Sequence, residues 1–203
     1  MDGGVVMHGS KSQLINAILS LHVRQRFILG IDGLSRSGKT TFAENLRDVL
    51  SQAQKDVCLF HLDDHIVDRT NRYNTGHEEW YEHYNLQWNV EYLRESLFTK
   101  VRKGGEVTTQ FYNAELGQQL TKTVLIPSKC VVIIEGVFLQ RSEWREFFDY
   151  LVYLDCPRDV RFNREQENTR RNIEKFRNRY WKAENHYLNF VRPLEHADML
   201  IKS

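Results

Sequence analysis

The chain has 203 residues and a formal net charge of +1, because 28 lysine and arginine residues nearly balance 27 aspartate and glutamate residues. This length suits one α/β domain over residues 1–203, and the balanced charge argues against a nucleic-acid-binding protein. No apolar run approaches the ~18 residues of a membrane-spanning helix, and the N-terminus lacks the plan of a secretion signal, so we exclude a membrane protein and expect the cytoplasm.

The first predicted element is an amphipathic N-terminal helix over residues 10–25, with serine residues suited to cap its start. A short apolar run over residues 26–31 then predicts a buried parallel strand. The next segment contains a complete Gly-x-x-x-x-Gly-Lys-Thr pattern at residues 33–40, and residues 41–50 return to helical spacing. Strand, loop and helix in this order are the context expected of a phosphate-binding loop.

Each position of this loop suits the binding of a nucleoside triphosphate. Gly33 and Gly38 permit backbone conformations that turn successive N–H groups toward an anion. Lys39 can reach the β- and γ-phosphates, and the Thr40 hydroxyl can ligate the Mg²⁺ that accompanies them. The helix that starts here adds free N–H groups and the positive end of its dipole. The predicted nucleotide-binding residues are Gly33, Ser35, Arg36, Ser37, Gly38, Lys39, Thr40 and Thr41.

A second buried strand is predicted over residues 56–62, and it ends in Asp63 and Asp64. Because the carboxyl ends of parallel strands meet at one edge of a doubly wound sheet, this pair should lie beside the loop. One of the two carboxylates can then act as the general base that takes the proton of an acceptor hydroxyl during phosphoryl transfer. The alternative is a pair that caps a turn. His61 and His65 flank the turn, but their spacing matches no zinc site.

The middle of the chain is polar and aromatic over residues 68–85. Such a stretch can form a wall for a planar ring or a sugar, or a helical segment that docks on the core. An amphipathic helix over residues 90–101 follows and ends at a glycine pair. A β-hairpin insertion is then predicted over residues 104–127, projecting from the sheet. Tyr112, at its centre, either reaches over the acceptor or packs across the strands.

Two further core strands are predicted. A final strand over residues 198–201 completes the predicted sheet, and it follows a helix over residues 180–191. The first covers residues 129–134 and ends at Glu135, which is placed to hold Mg²⁺ directly or through water, or to orient the nucleophile. The second covers residues 150–154.

The segment over residues 158–180 is helical and rich in arginine. One interpretation is a solvated face on which arginines pair with nearby glutamates. The other is a lid that closes over the nucleotide, because phosphoryl transfer needs positive charge around the migrating group. Under the second interpretation the candidate lid arginines are Arg164, Arg170 and Arg171.

Several of these segments resemble the uridine kinase-like branch of the phosphate-loop kinases, which also holds phosphoribulokinase, pantothenate kinase and nicotinamide riboside kinase. The loop and helix GIDGLSRSGKTTFAENL, the turn LDDHI and the strand VVIIEGVF match this family, and LVYLDCPRDVRFNRE is similar to the stretch that leads to its arginine lid. The resemblance extends from residue 27 to the end. It implies a three-layer α/β phosphate-loop fold with a parallel central sheet flanked by helices, and Asp63 as the general base.

The residues and the resemblance together predict an ATP- and Mg²⁺-dependent kinase of a small nucleoside-like acceptor, with uridine or cytidine as the first expectation. Nicotinamide riboside, pantothenate or a sugar are alternative acceptors, and a nucleotide-binding switch or an inert homologue is the alternative of another class. The oligomeric state stays open, and a homo-oligomer is compatible with the sequence.

The candidate catalytic residues are Lys39, Asp63, Arg164, Arg170 and Arg171. The candidate acceptor-binding residues are Asp63, Asp64, His65, Tyr73, Tyr81, Tyr112 and Glu135. The candidate metal ligands are Thr40 and Glu135.

Overall fold

A computed structural model of the protein describes residues 6–113 and 115–203. Its strands are β1 Met7–Gly9, β2 Phe27–Asp32, β3 Val57–His61, β4 Gly105–Asn113, β5 Gln118–Ile126, β6 Val131–Gly136, β7 Tyr150–Asp155 and β8 Met199–Lys202. Six of them form one parallel sheet in the order β1–β8–β7–β2–β6–β3, while β4 and β5 pair antiparallel as a separate hairpin.

The α-helices lie between these strands. They are α1 Lys11–Ser20, α2 Lys39–Gln52, α3 Arg69–Arg72, α4 Glu79–Asn85, α5 Val90–Leu93, α6 Thr99–Lys103, α7 Arg158–Asn163, α8 Glu167–Arg170, α9 Ile173–Lys175, α10 Lys182–His186 and α11 Pro193–His196. Turns of 3-10 helix cover Leu62–His65 and Arg145–Phe147. Segments of π-helix at Arg94–Phe98, Phe176–Trp181 and Tyr187–Val191 join their neighbours, so residues 90–103 and 173–191 each form one continuous helix.

The central sheet is buried on both faces, as its uninterrupted apolar strands predict. Ile28 and Leu29 of β2 are both fully buried, yet they point to opposite sides. Leu29 packs in a core with α1 and α2, whereas Ile28 packs in a second core with α4 and the two long helices. The predicted fold class, a parallel sheet between two layers of helices, is therefore confirmed. No helix in the described part of the chain is long and apolar enough to cross a membrane.

The N-terminal helix is shorter than the sequence predicted. Ser10 caps it, because its hydroxyl accepts from the Gln13 N–H at 3.2 Å while the Gln13 side chain accepts from the Ser10 N–H at 2.7 Å. The helix ends at Ser20 and not at residue 25. Leu21 is extended instead, since its side chain packs against the core beneath α1 and its carbonyl accepts from Lys55 Nζ at 2.8 Å. The short strand β1, which pairs with β8, was not predicted.

The predicted hairpin is confirmed, and it stands beside the turn that follows β3. The Gln110 carbonyl oxygen lies 2.7 Å from His65 Nδ1, and Gln119 Nε2 donates to the Ile66 carbonyl at 3.1 Å. Burial lowers the pKa of His65, so its ring serves as a structural link in the neutral form. Gly104, with a φ of +78°, ends the preceding long helix and turns the chain into β4.

His83 in α4 makes the stability of the fold sensitive to acid. Burial, together with the charge of Arg179, lowers its pKa to about 3. The unfolded chain takes up this proton near pH ~6.5, so the free energy of unfolding should fall as pH drops from ~6.5 toward ~3, by up to ~1.4 kcal/mol per pH unit. We expect His83→Gln to lose less stability than the wild type between about pH 7.5 and about pH 5.5 in urea unfolding. The exposed His8 provides the control variant His8→Gln. Equal losses in the wild type and His83→Gln would contradict this assignment.

Candidate active site

The loop between β2 and α2 adopts a conformation that only its glycines allow. A Cβ added to Gly33 would lie 2.7 Å from Ser37 Oγ and 2.9 Å from the Leu154 carbonyl oxygen. Gly38 has a φ of +90° and precedes α2 without any side-chain cap. The first N–H groups of this 14-residue helix therefore face the loop without an internal partner, which is the arrangement that binds phosphate.

A buried carboxylate, Asp32, fixes the start of the loop. Its Oδ1 accepts from the Gly33 N–H at 2.8 Å, and its Oδ2 accepts from the Tyr187 hydroxyl at 2.5 Å and from Gln140 Nε2 at 3.0 Å. Burial raises its pKa, although these hydrogen bonds act in the opposite direction. Asp32 was not among the site residues predicted from the sequence. An acidic residue at the end of a wholly apolar strand was the signal that could have identified it.

Lys39 lies at the centre of the acidic residues of the site. Its side chain is buried, and Nζ donates to the Leu34 carbonyl at 3.1 Å. Burial lowers its pKa, while the charges of Glu135, Asp63 and Asp32 act to raise it. An ammonium group has three donors, and the Leu34 carbonyl uses one of them. The remaining donors can bind the phosphate groups of a nucleotide.

Glu135 joins the end of β6 to the loop. The Thr40 hydroxyl donates to Glu135 Oε1 at 2.9 Å, and His61 Nδ1 lies 2.7 Å from the same oxygen. This hydrogen bond raises the pKa of His61. A hydroxyl and a carboxylate are hard oxygen ligands, and Mg²⁺ keeps several waters in such sites, so the pair fits the metal predicted from the sequence. His61 itself was missed as a residue of the site.

Asp63 faces the open cleft from the turn after β3. Its side chain is exposed through the mouth of the cleft, while protein surrounds it on its other sides. This surrounding protein raises the pKa of the carboxyl, and the charge of Lys39 opposes the rise. A carboxylate with a raised pKa binds a proton more readily, which suits a general base. Asp64 does not line the cleft.

Three arginines of α7 and its C-terminal end line the far wall of the cleft, namely Arg158, Arg161 and Arg164. Because they are three residues apart, they lie on the same side of the helix. Arg161 is buried and pairs with both carboxylate oxygens of Glu184, at 2.6 and 3.0 Å. It also donates to the Ser35 carbonyl at 3.0 Å. Arg164 donates to the Arg36 carbonyl at 2.9 Å. Arg161 and Arg164 therefore tie the predicted lid segment to the phosphate loop.

The structure separates the three predicted lid arginines. Arg164 lines the cleft, but Arg170 and Arg171 do not. Arg171 is exposed and forms an ion pair with Glu167 at 3.0 Å, as expected of a solvated helix face. The Arg158 and Arg161 side chains, which line the cleft, were not among the candidates, although their spacing was readable in the sequence.

Aromatic side chains close the cleft on the same side. Phe162 packs edge-on against Phe176, with ring centroids 5.0 Å apart, and Trp181 lies within 5.9 Å of both rings. Tyr180 completes this wall, and the whole cleft has a volume of ≈ 640 Å³. One of the two interpretations of residues 68–85 was an aromatic wall, because that stretch is rich in aromatic residues, but the rings that line the cleft come from residues 162–181.

The predicted acceptor residues of that stretch and of the hairpin do not line the cleft. Tyr81 is exposed and contacts His77, with centroids 4.7 Å apart. Tyr73 and Tyr112 approach each other through Arg72, whose guanidinium carbon lies 5.1 Å from the Tyr73 ring and 5.5 Å from the Tyr112 ring. Of the predicted nucleotide-binding residues, six line the cleft, namely Ser35, Arg36, Gly38, Lys39, Thr40 and Thr41, whereas Gly33 does not. Ser37 is fully buried beneath them.

Comparison with known proteins identifies relatives over most of the chain. A uridine kinase of Staphylococcus epidermidis is 29% identical over 194 residues, which cover 88% of each chain. A uridine kinase of Borrelia duttonii is 24% identical over 186 residues, which cover 86% of this chain and 85% of the relative. A solved structure from Bacillus stearothermophilus, described as a "possible uridine kinase", is 46% identical with a TM-score of 0.84, and the match covers 94% of this chain and 96% of that one. Residues 28–203 match the sequence model of the phosphoribulokinase / uridine kinase family, and the chain therefore belongs to this family.

Proposed function

We propose that the protein transfers the γ-phosphoryl group of ATP to a hydroxyl of a small acceptor. The observation that carries this proposal is the convergence of the phosphate loop, Lys39, Asp63 and Glu135 on one cleft. A loop alone indicates nucleotide binding, whereas a carboxylate facing the same cleft supplies a base for a second substrate.

Each group in the cleft has a proposed role. The loop amides and Lys39 bind the β- and γ-phosphates, and Asp63 takes the proton of the acceptor hydroxyl. Thr40 and Glu135 would hold Mg²⁺, directly or through water, and the metal would neutralise charge on the phosphates. Arg158 and Arg164 face the same space and add positive charge there. Arg161 acts differently, because its guanidinium is committed to Glu184 and to the loop backbone.

The names of the relatives make uridine the first acceptor to assay, and we propose cytidine beside it. Nicotinamide riboside, pantothenate and a sugar are the alternatives from the same family of reactions. The aromatic wall of Phe162, Phe176, Tyr180 and Trp181 offers flat faces on which a planar ring can stack.

The test is ADP release measured with ATP, Mg²⁺ and each acceptor in turn. We expect turnover that depends on the acceptor and that is lost in Asp63→Asn. ATP consumption that is indifferent to every acceptor would favour a nucleotide switch. ATP binding without turnover under any condition would favour an inert homologue, and either result would overturn the proposal.

A further inference from the structure

Four cationic side chains surround one tyrosine next to the cleft, and we call this group the Tyr73 cluster. Arg179 lies over the Tyr73 ring with its guanidinium carbon 3.9 Å from the centroid, and Arg69 lies 4.4 Å away. Arg72 and Lys175 complete the group at 5.1 and 5.7 Å. The four residues come from α3, from α9 and from the π-helical segment that follows it, so tertiary packing brings together two basic parts of the chain.

The positive charge of the cluster is only partly balanced. Arg179 is 1% exposed and pairs with Glu82 at 2.9 Å. Arg72 is also buried, yet its Nε donates to the neutral carbonyl of Val67. Within residues 6–113 and 115–203, no carboxylate lies within 4.0 Å of the side-chain nitrogens of Arg69, Arg72 or Lys175. Among the described residues, and within 4.0 Å, Glu82 is therefore the carboxylate that balances the four cations.

The electrostatic potential at the cluster is strong enough to affect Tyr73. Burial alone would raise the pKa of its phenol, but the charges of Arg179, Lys175, Arg72 and Arg69 together lower it. Interaction with the face of an aromatic ring offsets a small part of the repulsion between cations. Cations held this close together favour a bound anion, because an anion removes their repulsion and accepts their hydrogen bonds.

The cluster adjoins the acceptor side of the cleft. Lys175 Nζ lies 5.6 Å from the ring centroid of Tyr180, and Tyr180 lines the cleft with Asp63. Arg72 lies against Tyr112 of the hairpin, which stands beside the turn that carries Asp63. Tyr180 therefore contacts the cluster through Lys175 and also lines the cleft that Asp63 faces.

We infer that the acceptor carries an anionic group, a phosphate or a carboxylate, which the Tyr73 cluster binds while the hydroxyl faces Asp63. The inference rests on the proposed phosphoryl transfer, but it departs from uridine, which has no charge at neutral pH. It also disfavours nicotinamide riboside, whose ring is cationic.

Matched pairs of acceptors test this inference, since the members of each pair differ by one anionic group. The pairs are ribose with ribose 5-phosphate and glycerol with glycerate, with uridine assayed alongside them. We expect kcat/KM to be about tenfold or more higher for an anionic member than for its neutral partner. Lys175→Gln should remove about tenfold of that preference by raising KM for the anionic member. The matched control is Arg177→Gln, which changes the net charge equally at an exposed position of the same helix that is paired with Glu174.

Calorimetry separates failure of this inference from failure of the proposed transfer. With Mg²⁺ and saturating ADP in the phosphate loop, both members of each pair are titrated into the wild type, Lys175→Gln and Arg177→Gln. Binding that favours an anionic member and weakens only in Lys175→Gln supports the cluster even where no acceptor is phosphorylated, and then only the transfer fails. A phosphate preference and a carboxylate preference are distinguished by which pair responds. Equal handling of both members of each pair, or equal loss in the two variants, would overturn the inference while leaving a kinase of neutral acceptors intact.

Discussion

Lys39→Ala is expected to lower kcat by about 10³-fold or more, because the variant loses the buried ammonium group that lines the proposed triphosphate site. The remaining charges make the loss more severe. The charges of Asp63, Glu135 and Asp32 all act on Lys39, and without its ammonium group they would repel the phosphates unopposed by that charge. ATP should therefore also bind more weakly, which calorimetry with a non-hydrolysable analogue measures.

The same substitution should leave the protein folded. Among the described residues, the Lys39 side chain makes one hydrogen bond, to the Leu34 carbonyl, and its removal also relieves the cost of burying an ammonium group. We expect an unchanged circular dichroism spectrum and a melting temperature within about 4 °C of the wild type. Lys55→Ala is the matched control, because Lys55 Nζ also donates to a main-chain carbonyl, that of Leu21, but outside the cleft. Full activity in Lys39→Ala, or collapse of its fold, would remove the phosphate-binding assignment.

The parts of the fold that depend on local sequence were predictable. Strands β2, β3, β6 and β7 are apolar runs of four to six residues flanked by polar turns, and burial on both faces requires that composition. The phosphate loop was predictable because its glycines meet local steric demands at Gly33 and Gly38. The ends of the helices were less predictable from local sequence. At Leu21 a contact with Lys55, 34 positions away, competes with helical propensity, and no local pattern reveals it.

In the candidate site, too, some residues could be predicted from local sequence and others depend on contacts between distant parts of the chain. Lys39, Thr40, Asp63 and Glu135 each follow a strand or belong to the motif, so topology alone places them at one edge of the sheet. Arg161 depends on Glu184, a partner 23 positions later, and its role at the loop depends on packing between separate elements. The Tyr73 cluster is of this second kind as well, because the basic residues of α3 and of the helix over residues 173–191 look like two solvated faces until the fold joins them.

Hydrogen bonds from neighbouring side chains to Asp32 and Glu135 allow these two carboxylates and Asp63 to lie close together in the site. Asp32 is held by hydrogen bonds from Tyr187 and Gln140, and Glu135 by hydrogen bonds with Thr40 and His61. Asp63 has no comparable donor among the hydrogen bonds of the described residues, so its carboxylate remains available for a proton. Satisfied carboxylates position the loop, and the unsatisfied one faces the space that an acceptor would occupy.

Asp63→Asn is therefore expected to lower kcat by about 10²- to 10⁴-fold, because an amide of nearly the same shape cannot take the proton of the acceptor. Asp64→Asn should cause a smaller loss, since Asp64 lies outside the cleft lining. Asp48→Asn, at an exposed position paired with Arg47, controls for the loss of one negative charge. If Asp64→Asn caused the larger loss, the two aspartates would exchange roles.

The pH profile distinguishes a general base from a residue that only positions the acceptor. The surrounding protein raises the pKa of Asp63, so the unprotonated form disappears as pH falls through that raised pKa. The wild-type kcat/KM should then fall about tenfold per pH unit on the acid side, and this limb should be absent in Asp63→Asn. A raised pKa also means that ionised Asp63 costs the folded state stability at neutral pH, a cost that vanishes below the pKa of the unfolded chain. The asparagine variant should consequently melt no lower than the wild type near neutral pH. An acid limb that persists in Asp63→Asn would assign the proton transfer to another group.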